Sequence, residues 1–381
     1  MKKPLIAMSV LGAFAASATA ADIQLYGLIN PALTFTSSNG DYAGAETVNT
    51  FKMEEGQEFG SRFGIRGMEE ISPDFKVGFV LESGFNADTG ALNKSTKIFD
   101  RESHLDLHTN FGKFSFGTMP IFGSTLGADG LFRAIDPLFA NYTEAFGSGL
   151  ISASDWTRTD NTFSYVTPTF AGLTGYAMYS LKKDGTNTAG EESMAESDRY
   201  ASLAVRYQNG AFEGIVVGDM TLYGYKDSQT PKEVDNGFTV TVGGNYTFGS
   251  GLKLLAFAQY FDDQYINHKA RAGVSYNGLV KVSAAGYQYV SGYGLSLGAH
   301  YPVGNGTLKG QIGFRDMDNT DDVDFTRWIV ALGYDYPLSK RTSFFAMTGY
   351  SQEKIENNNT NTKDEATPYG YELTAGIVHR F

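Results

Sequence analysis

The segment Tyr371–Phe381, YELTAGIVHRF, decides the fold. Tyr371, Leu373, Ala375, Ile377, His379 and Phe381 fall on one face of an extended chain; Glu372, Thr374, Gly376, Val378 and Arg380 fall on the other. A period of two with one apolar face marks a strand lying between two unlike media. The sequence ends on this strand, and the strand predicts a chain that lives in a membrane without a spanning helix.

The other end agrees. Lys2 and Lys3 form a positive start, Leu5 to Ala16 is an apolar run, and Ala18-Thr19-Ala20 is an A-x-A cleavage site. That order predicts a secretory signal peptide over residues 1–20, too short and wrongly flanked for an anchor. A single barrel domain is expected over 21–381. No later segment approaches the ~18 consecutive apolar residues of a transmembrane helix. The mean hydropathy of −0.24 would suit a soluble protein. A barrel resolves the conflict, because only alternate residues of each strand meet lipid. The 45 Gly, 28 Phe and 23 Tyr suit many short strands with aromatic girdles. With no cysteine, disulfide frameworks and thiol chemistry are excluded. The formal charge is −12, and −14 once Lys2 and Lys3 are lost, which argues against a nucleic-acid partner.

Short turn signals rich in Gly, Pro and Asn occur at 72–73, 110–112, 168–172, 209–210, 249–251, 304–306 and 337–340. Longer polar stretches alternate with them near 37–58, 87–97, 118–160, 183–197, 226–235, 264–283, 316–323 and 352–368. This count predicts an all-β fold, a sixteen-stranded antiparallel transmembrane barrel with both termini at the short-turn end. Phe238 to Phe248, Trp328 to Tyr336 and Tyr293 to Tyr301 alternate cleanly. Tyr246, Phe248, Tyr301, Tyr334, Tyr336 and Phe381 lie beside short turns or the C-terminus and are expected to form an interfacial girdle. Pro31 is the exception among the prolines, lying within the first strand. Leu252–Asp262 and Thr342–Gln352 carry apolar residues on both faces, and the twelfth strand could begin anywhere from Lys269 to Tyr287.

Ser61-Arg62-Phe63-Gly64-Ile65-Arg66-Gly67, Leu81-Glu82-Ser83-Gly84-Phe85, Asn110-Phe111-Gly112-Lys113 and Phe116-Gly117 resemble the blocks of Gram-negative general porins, most of all the beta-proteobacterial type, as does a last strand ending in Phe. The resemblance implies a homotrimer in the outer membrane, each subunit with its own water-filled pore, in contact with lipid and lipopolysaccharide and with no cofactor. It also implies that the third external loop folds inward and narrows the pore. Here the connection over about 118–160 is the longest; it holds Asp129, Asp136, Glu144 and Asp155 and apolar anchors such as Leu131, Phe132, Leu138 and Phe139. A long loop with that apolar content is expected to be functional rather than disordered.

A constriction needs opposite charges on facing walls, so that a transverse field filters ions. By motif position, Arg62, Arg101 and Arg158 match the family's basic cluster. Arg66 shares a strand face with Arg62, and Lys76 shares one with Glu82, which adds them to the expected lumen wall. One segment resists. If Arg101 points inward in a regular strand, Glu102, His104, Asp106 and His108 point outward, where charges are costly. Either this strand faces a subunit interface or the register flips between Arg101 and Leu105. Asp316, Asp318, Asp321, Asp322 and Asp324 crowd one loop and form a weak divalent-cation candidate, without the Gly and terminal Glu of an EF-hand.

The function expected is passive diffusion of ions and small hydrophilic solutes, filtered by size and charge. The alternative is a substrate-specific channel for a sugar or an organic anion, against which the outward placement of most strand aromatics argues. An enzyme in a barrel lacks a recognisable motif around the five histidines. A plugged, purely structural barrel fits poorly with the modest length of the other loops.

Overall fold

A computed structural model describes residues 22–41, 45–140, 142–153, 158–187, 190–225, 235–266, 289–320, 322–358 and 364–381. The expected signal segment, 1–20, lies outside the described residues. The strands are β1 (Asp22–Ile29), β2 (Pro31–Asn39), β3 (Val48–Glu55), β4 (Arg62–Ser72), β5 (Phe75–Gly84), β6 (Glu102–Thr109), β7 (Gly112–Pro120), β8 (Arg158–Val166), β9 (Leu173–Ser180) and β10 (Arg199–Asn209). They continue as β11 (Phe212–Leu222), β12 (Gly237–Thr247), β13 (Lys253–Tyr265), β14 (Tyr289–Val303), β15 (Gly306–Asn319), β16 (Val323–Pro337), β17 (Thr342–Asn357), β18 (Asp364–Ala366) and β19 (Tyr369–Arg380). The pairs β1/β2, β3/β4 and β18/β19 are halves of single staves, so the described residues form sixteen antiparallel staves. The ring closes where β19 meets β2, from Tyr369↔Asn39 to Gly376↔Ala32, and again at Leu28↔Arg380. Closure removes the exposed sheet edge that a bilayer interior does not tolerate, and at the break in the seam the Asn30 side chain donates to the Ile377 carbonyl at 3.2 Å.

The seven short turns lie where the Gly, Pro and Asn signals put them. The opposite end differs from expectation. β15 runs to Asn319 and β16 starts at Val323, so most of the 316–323 stretch is strand. Likewise β3 begins at Val48, inside the expected 37–58 loop. Aspartates and asparagines mimic loop chemistry, but here cross-strand pairing carries them upward on tall staves. The twelfth stave is described from Tyr289, and the 267–288 stretch lies outside the described residues.

Burial is inverted relative to a water-soluble protein. Leu25, Leu203, Leu297, Ile312, Leu332 and Leu373 are exposed on the outer face, while Thr34, Thr241, Gln259, Glu372 and Thr374 are buried inside. Only one face of each stave meets lipid, so this pattern is what a barrel requires. In the terminal strand Tyr371, Leu373, Ile377 and Phe381 face out, and Glu372, Thr374 and Val378 are buried. Tyr246, Phe248, Tyr301 and Phe381 are exposed and Tyr334 and Tyr336 half-buried, all near the short-turn end.

Pro31 marks a built break. Asn30, fully buried, separates β1 from β2. Its side-chain oxygen accepts the backbone N–H of Glu58 (3.2 Å) and Phe59 (2.9 Å), and its carbonyl accepts the N–H of Gly56 (2.9 Å). Ser61 returns a hydroxyl to the Asn30 N–H at 3.0 Å. The chain over 56–61 is thus pinned out of the regular ladder, between β3 and β4.

The 121–153 segment, the third of the long connections, folds into the barrel and lines its wall. Leu131, Phe132, Ile135, Leu150 and Ile151 join Ile215, Val217, Phe257 and Ile329 of the inner wall in one core. Leu138, Ala140, Ala145 and Phe146 join Ala331, Phe345, Met347 and Val378 in another. The wall is hollowed by glycine to receive the loop. A Cβ on Gly294 would lie 1.7 Å from the Ile151 carbonyl oxygen, and one on Gly298 would lie 2.3 Å from Pro137. Polar clamps finish the fit. Glu372 accepts the N–H of Glu144 (2.6 Å) and Ala145 (3.1 Å), Gln259 accepts that of Ala153 (2.7 Å), and Asn245 donates to the Ala134 carbonyl (2.7 Å).

Candidate functional site

The loop leaves β11 to β19 covered and faces the wall built by β4, β5, β6 and β8 across a gap. On that wall Arg62 opens β4, directly after the pinned segment, and its Nε donates to the Gly60 carbonyl at 2.9 Å. Glu82, across the ladder on β5, is buried and accepts from Arg101 Nε at 2.6 Å and from the Tyr26 hydroxyl at 3.0 Å. Arg62 Nη1 stands 3.8 Å from the same carboxylate. Arg158 opens β8, and its charge acts on Arg62 and Arg101. Three guanidinium groups therefore converge on a carboxylate that Arg101 already holds. Asp100, next to them, is turned to the N–H of Gly84 at 2.7 Å.

The register conflict resolves just before β6. Arg101 lies outside the strand and turns inward to Glu82, and Glu102 pairs opposite Glu82 on the same inner face. His104, Asp106 and His108 then face the lumen, and Leu105 the lipid side. His104 sits between Glu102 (3.1 Å) and Asp106 (3.0 Å). The flip keeps Glu102, His104, Asp106 and His108 off the lipid face.

From the loop side, Tyr142 reaches across. Arg101 donates a hydrogen bond to its hydroxyl. Gly60 makes the approach possible, since a Cβ there would lie 2.7 Å from the tyrosine oxygen. The gap is lined by Phe59, Arg62, Leu126, Arg133, Phe139 and Tyr142. Arg133 is tied by its guanidinium to the carbonyls of Thr125 (2.7 Å) and Gly127 (2.8 Å).

The remaining expected residues sit elsewhere. Arg66 faces the lumen below Arg62, bonded to Gln24 (3.0 Å) and 5.0 Å above the Tyr26 ring. Lys76 lies at the start of β5, pairs with Glu70 at 2.8 Å, and is six residues from Glu82. At about 3.3 Å per residue that is roughly 20 Å from the cluster. The acidic face expected on the loop is not assembled among the described residues. Asp129 pairs with Lys113, and Glu144 with Lys52 at 3.3 Å. Asp136 turns toward the wall, accepts the Ser148 hydroxyl at 2.7 Å and is buried. That burial raises its carboxyl above the usual carboxylate range, against the opposing pull of Ser148 and of the N–H groups of Leu138 and Phe139. Asp155 lies outside the described residues. Phe139, expected to be an apolar anchor like Leu138, stays half-buried on the gap side. Asp316 accepts the Thr326 hydroxyl at 2.9 Å, Asp318 pairs opposite Asp324 across the ladder, and Asp322 sits in the turn. Asp321 lies outside the described residues, and no metal-binding group occurs among those described.

A model of the Gram-negative porin family matches residues 7–358. The chain belongs to the Gram-negative porin family. This porin is 29% identical over 377 residues to an outer membrane porin protein of Bordetella pertussis, covering 92% of this chain and 94% of that one. It is 28% identical to outer membrane porin protein 32 of Delftia acidovorans, over 93% and 90% of the two chains. Its fold is similar to that of an anion-selective porin from Comamonas acidovorans, with a TM-score of 0.67 and 23% identity over 95% of this chain and all of that one. It is similar also to the trimer form of an outer membrane protein of Vibrio cholerae, with a TM-score of 0.60 and 17% identity over 94% and 99% of the two chains. The porin is therefore a Gram-negative outer-membrane channel for passive diffusion of ions and small hydrophilic solutes.

Tyr142 and Arg133 were not legible as site residues. The signal for Arg133 is a lone charge among the apolar Leu131, Phe132, Ala134 and Ile135; Tyr142, between Asn141 and Thr143, carries none.

Proposed function

We propose that this porin filters solutes at the gap between Arg62, Arg101 and Arg158 and the inward loop, and that the filter favours anions. The carrying observation is the lining: Arg62 and Arg133 border the gap and, among the described residues, no carboxylate does. Asp129 and Glu144 are paired and Asp136 is turned to the wall, so these acids cancel little of that field. Charges on the outer loops act from beyond a Debye length of about 8–10 Å and are screened. Local positive charge in a narrow, low-dielectric eyelet then outweighs a net charge of −12 spread over the whole chain. The similar Comamonas porin carries the description anion-selective, which agrees with this reading.

The native assembly is a homotrimer. The trimer form of the similar Vibrio protein supports this, as do the exposed Ile23, Leu25, Phe63 and Ile65 on the outer face of the first staves. The exposed aromatics at the short-turn end would sit at the lipid interface, in contact with lipid and lipopolysaccharide. Residues 1–20 would be removed on export. The test is the reversal potential of the purified protein in a planar bilayer under a potassium chloride gradient. A potential of the sign set by chloride is expected; one set by potassium contradicts the reading.

A further inference from the structure

The gap is aromatic as well as basic. Phe59 from the pinned wall segment and Phe139 from the loop stand with ring centroids 5.9 Å apart, and Tyr142, 40% exposed, completes the lining. None of the three lies on a strand, which is why the outward placement of strand aromatics gave no sign of them. Each position is enforced. Phe59 is held by the Asn30 side chain through its own N–H. Phe139 has a φ of 56°, a left-handed conformation that bulky residues seldom adopt, and it comes directly after the buried Leu138. Cations flank the pair: Arg380 lies 5.1 Å from the Phe59 centroid and Lys309 5.8 Å from that of Phe139.

Arg62 supplies the anion's partner. Its Nε is committed to Gly60, and Glu82 stands 3.8 Å from Nη1, beyond hydrogen-bond reach. Among the described residues nothing accepts a hydrogen bond from its two terminal nitrogens. A planar guanidinium with a free edge matches a carboxylate in a two-point contact.

We propose that this gap holds a transit subsite for small aromatic carboxylates of the benzoate class, the carboxylate on Arg62 and the ring against Phe59, Phe139 and Tyr142. This rests on the gap being the channel's filter. A single carboxylate on a rigid ring satisfies both features at once. An aliphatic acid of the same charge engages only the arginine. A sugar leaves the guanidinium edge without a charged partner.

The test is chloride current through the purified protein in planar bilayers, titrated with sodium benzoate, cyclohexanecarboxylate or acetate. Saturable reduction by benzoate is expected at a half-effect concentration about tenfold below that of acetate, the scale of one or two aromatic contacts. Cyclohexanecarboxylate should fall between them. A current that benzoate does not reduce saturably, or that cyclohexanecarboxylate reduces equally well, overturns the proposal. The reversal potential in chloride alone separates the two readings. An anion-selective channel without benzoate block removes only the subsite, and a cation-selective one removes the filter and the subsite together. A Phe139→Leu, Tyr142→Leu double variant should bring benzoate close to acetate; undiminished benzoate block in that variant also overturns the proposal.

Discussion

From β11 to β19 the inner wall carries Ile215, Val217, Leu255, Phe257, Ile329, Ala331, Phe345, Met347 and Val378, buried beneath the inward loop. From β4 to β8 it carries Arg62, Glu82, Glu102, His104 and Arg158, turned to the lumen. The same barrel thus has an inner half whose apolar patches, set among buried and paired groups such as Gln259, Arg315, Glu353 and Glu372, hold the loop, and an inner half whose charges meet solute. The covered half behaves as a hydrophobic core cut open to receive one more layer. The open half stays wet and acts through its field. A loop on one side is what makes the pore asymmetric, and asymmetry lets a few side chains decide what passes.

The comparison breaks most visibly if the loop is driven off its wall. Gly294→Leu with Gly298→Leu places side chains where Ile151 and Pro137 already lie. Overpacking costs roughly 1–3 kcal/mol per site. Single-channel conductance is expected to rise and anion preference to weaken; unchanged conductance would show that the loop does not depend on this seat. Next in size, Glu82→Gln leaves Arg101 buried beside a neutral partner. Breaking a buried pair costs about 3–5 kcal/mol, and this swap retains some hydrogen bonding, so the lower end is expected in denaturant unfolding.

A smaller effect tests the covered half by pH. The Asp136 carboxyl is raised in the folded loop, so the fold binds its proton more tightly than the unfolded chain does. The anchoring it supplies is fully present below the unfolded value, near 3.9, and is lost as pH rises through the folded one. Thermal unfolding midpoints of wild type relative to Asp136→Asn should therefore decline as pH climbs above about 4. A constant difference would show that Asp136 ionises freely. The smallest effect is expected from Lys76→Gln at the mouth. Its pair with Glu70 is exposed and contributes under about 1 kcal/mol, and its charge lies beyond a Debye length from Arg62. A large change in selectivity there would move the filter toward the periplasmic end.

Where the sequence was legible, the reason is local. Turn chemistry at Asn110-Phe111-Gly112 or Gly304-Asn305-Gly306 depends on neighbours in the chain, and the two faces of 371–381 follow from strand parity. Where it was not, the cause is a contact from far away. Leu252–Asp262 reads as apolar on both faces because Leu254 and Tyr260 meet lipid while Leu255, Phe257 and Phe261 are buried on the inner side. Arg62 was placed on the lumen face by motif position, and Glu82 by the strand face it shares with Lys76. The inward turn of Arg101 and Glu102 together depends on Glu82, nineteen or more residues back. The loop carboxylates read as a facing wall because sequence gives their charge but not their partners. Lys113, Lys52 and Ser148 claim them instead.

The most direct test sets the two halves against each other in one measurement, the reversal potential under a salt gradient for Arg62→Gln and for Glu144→Gln. A unit charge about 4 Å from a passing ion contributes about 1 kcal/mol even in water, a factor of about five in permeability ratio. Arg62→Gln is expected to shift the potential toward potassium by about that factor, and Glu144→Gln, at a carboxylate already paired with Lys52, to shift it far less. A large shift from Glu144→Gln with none from Arg62→Gln would contradict this.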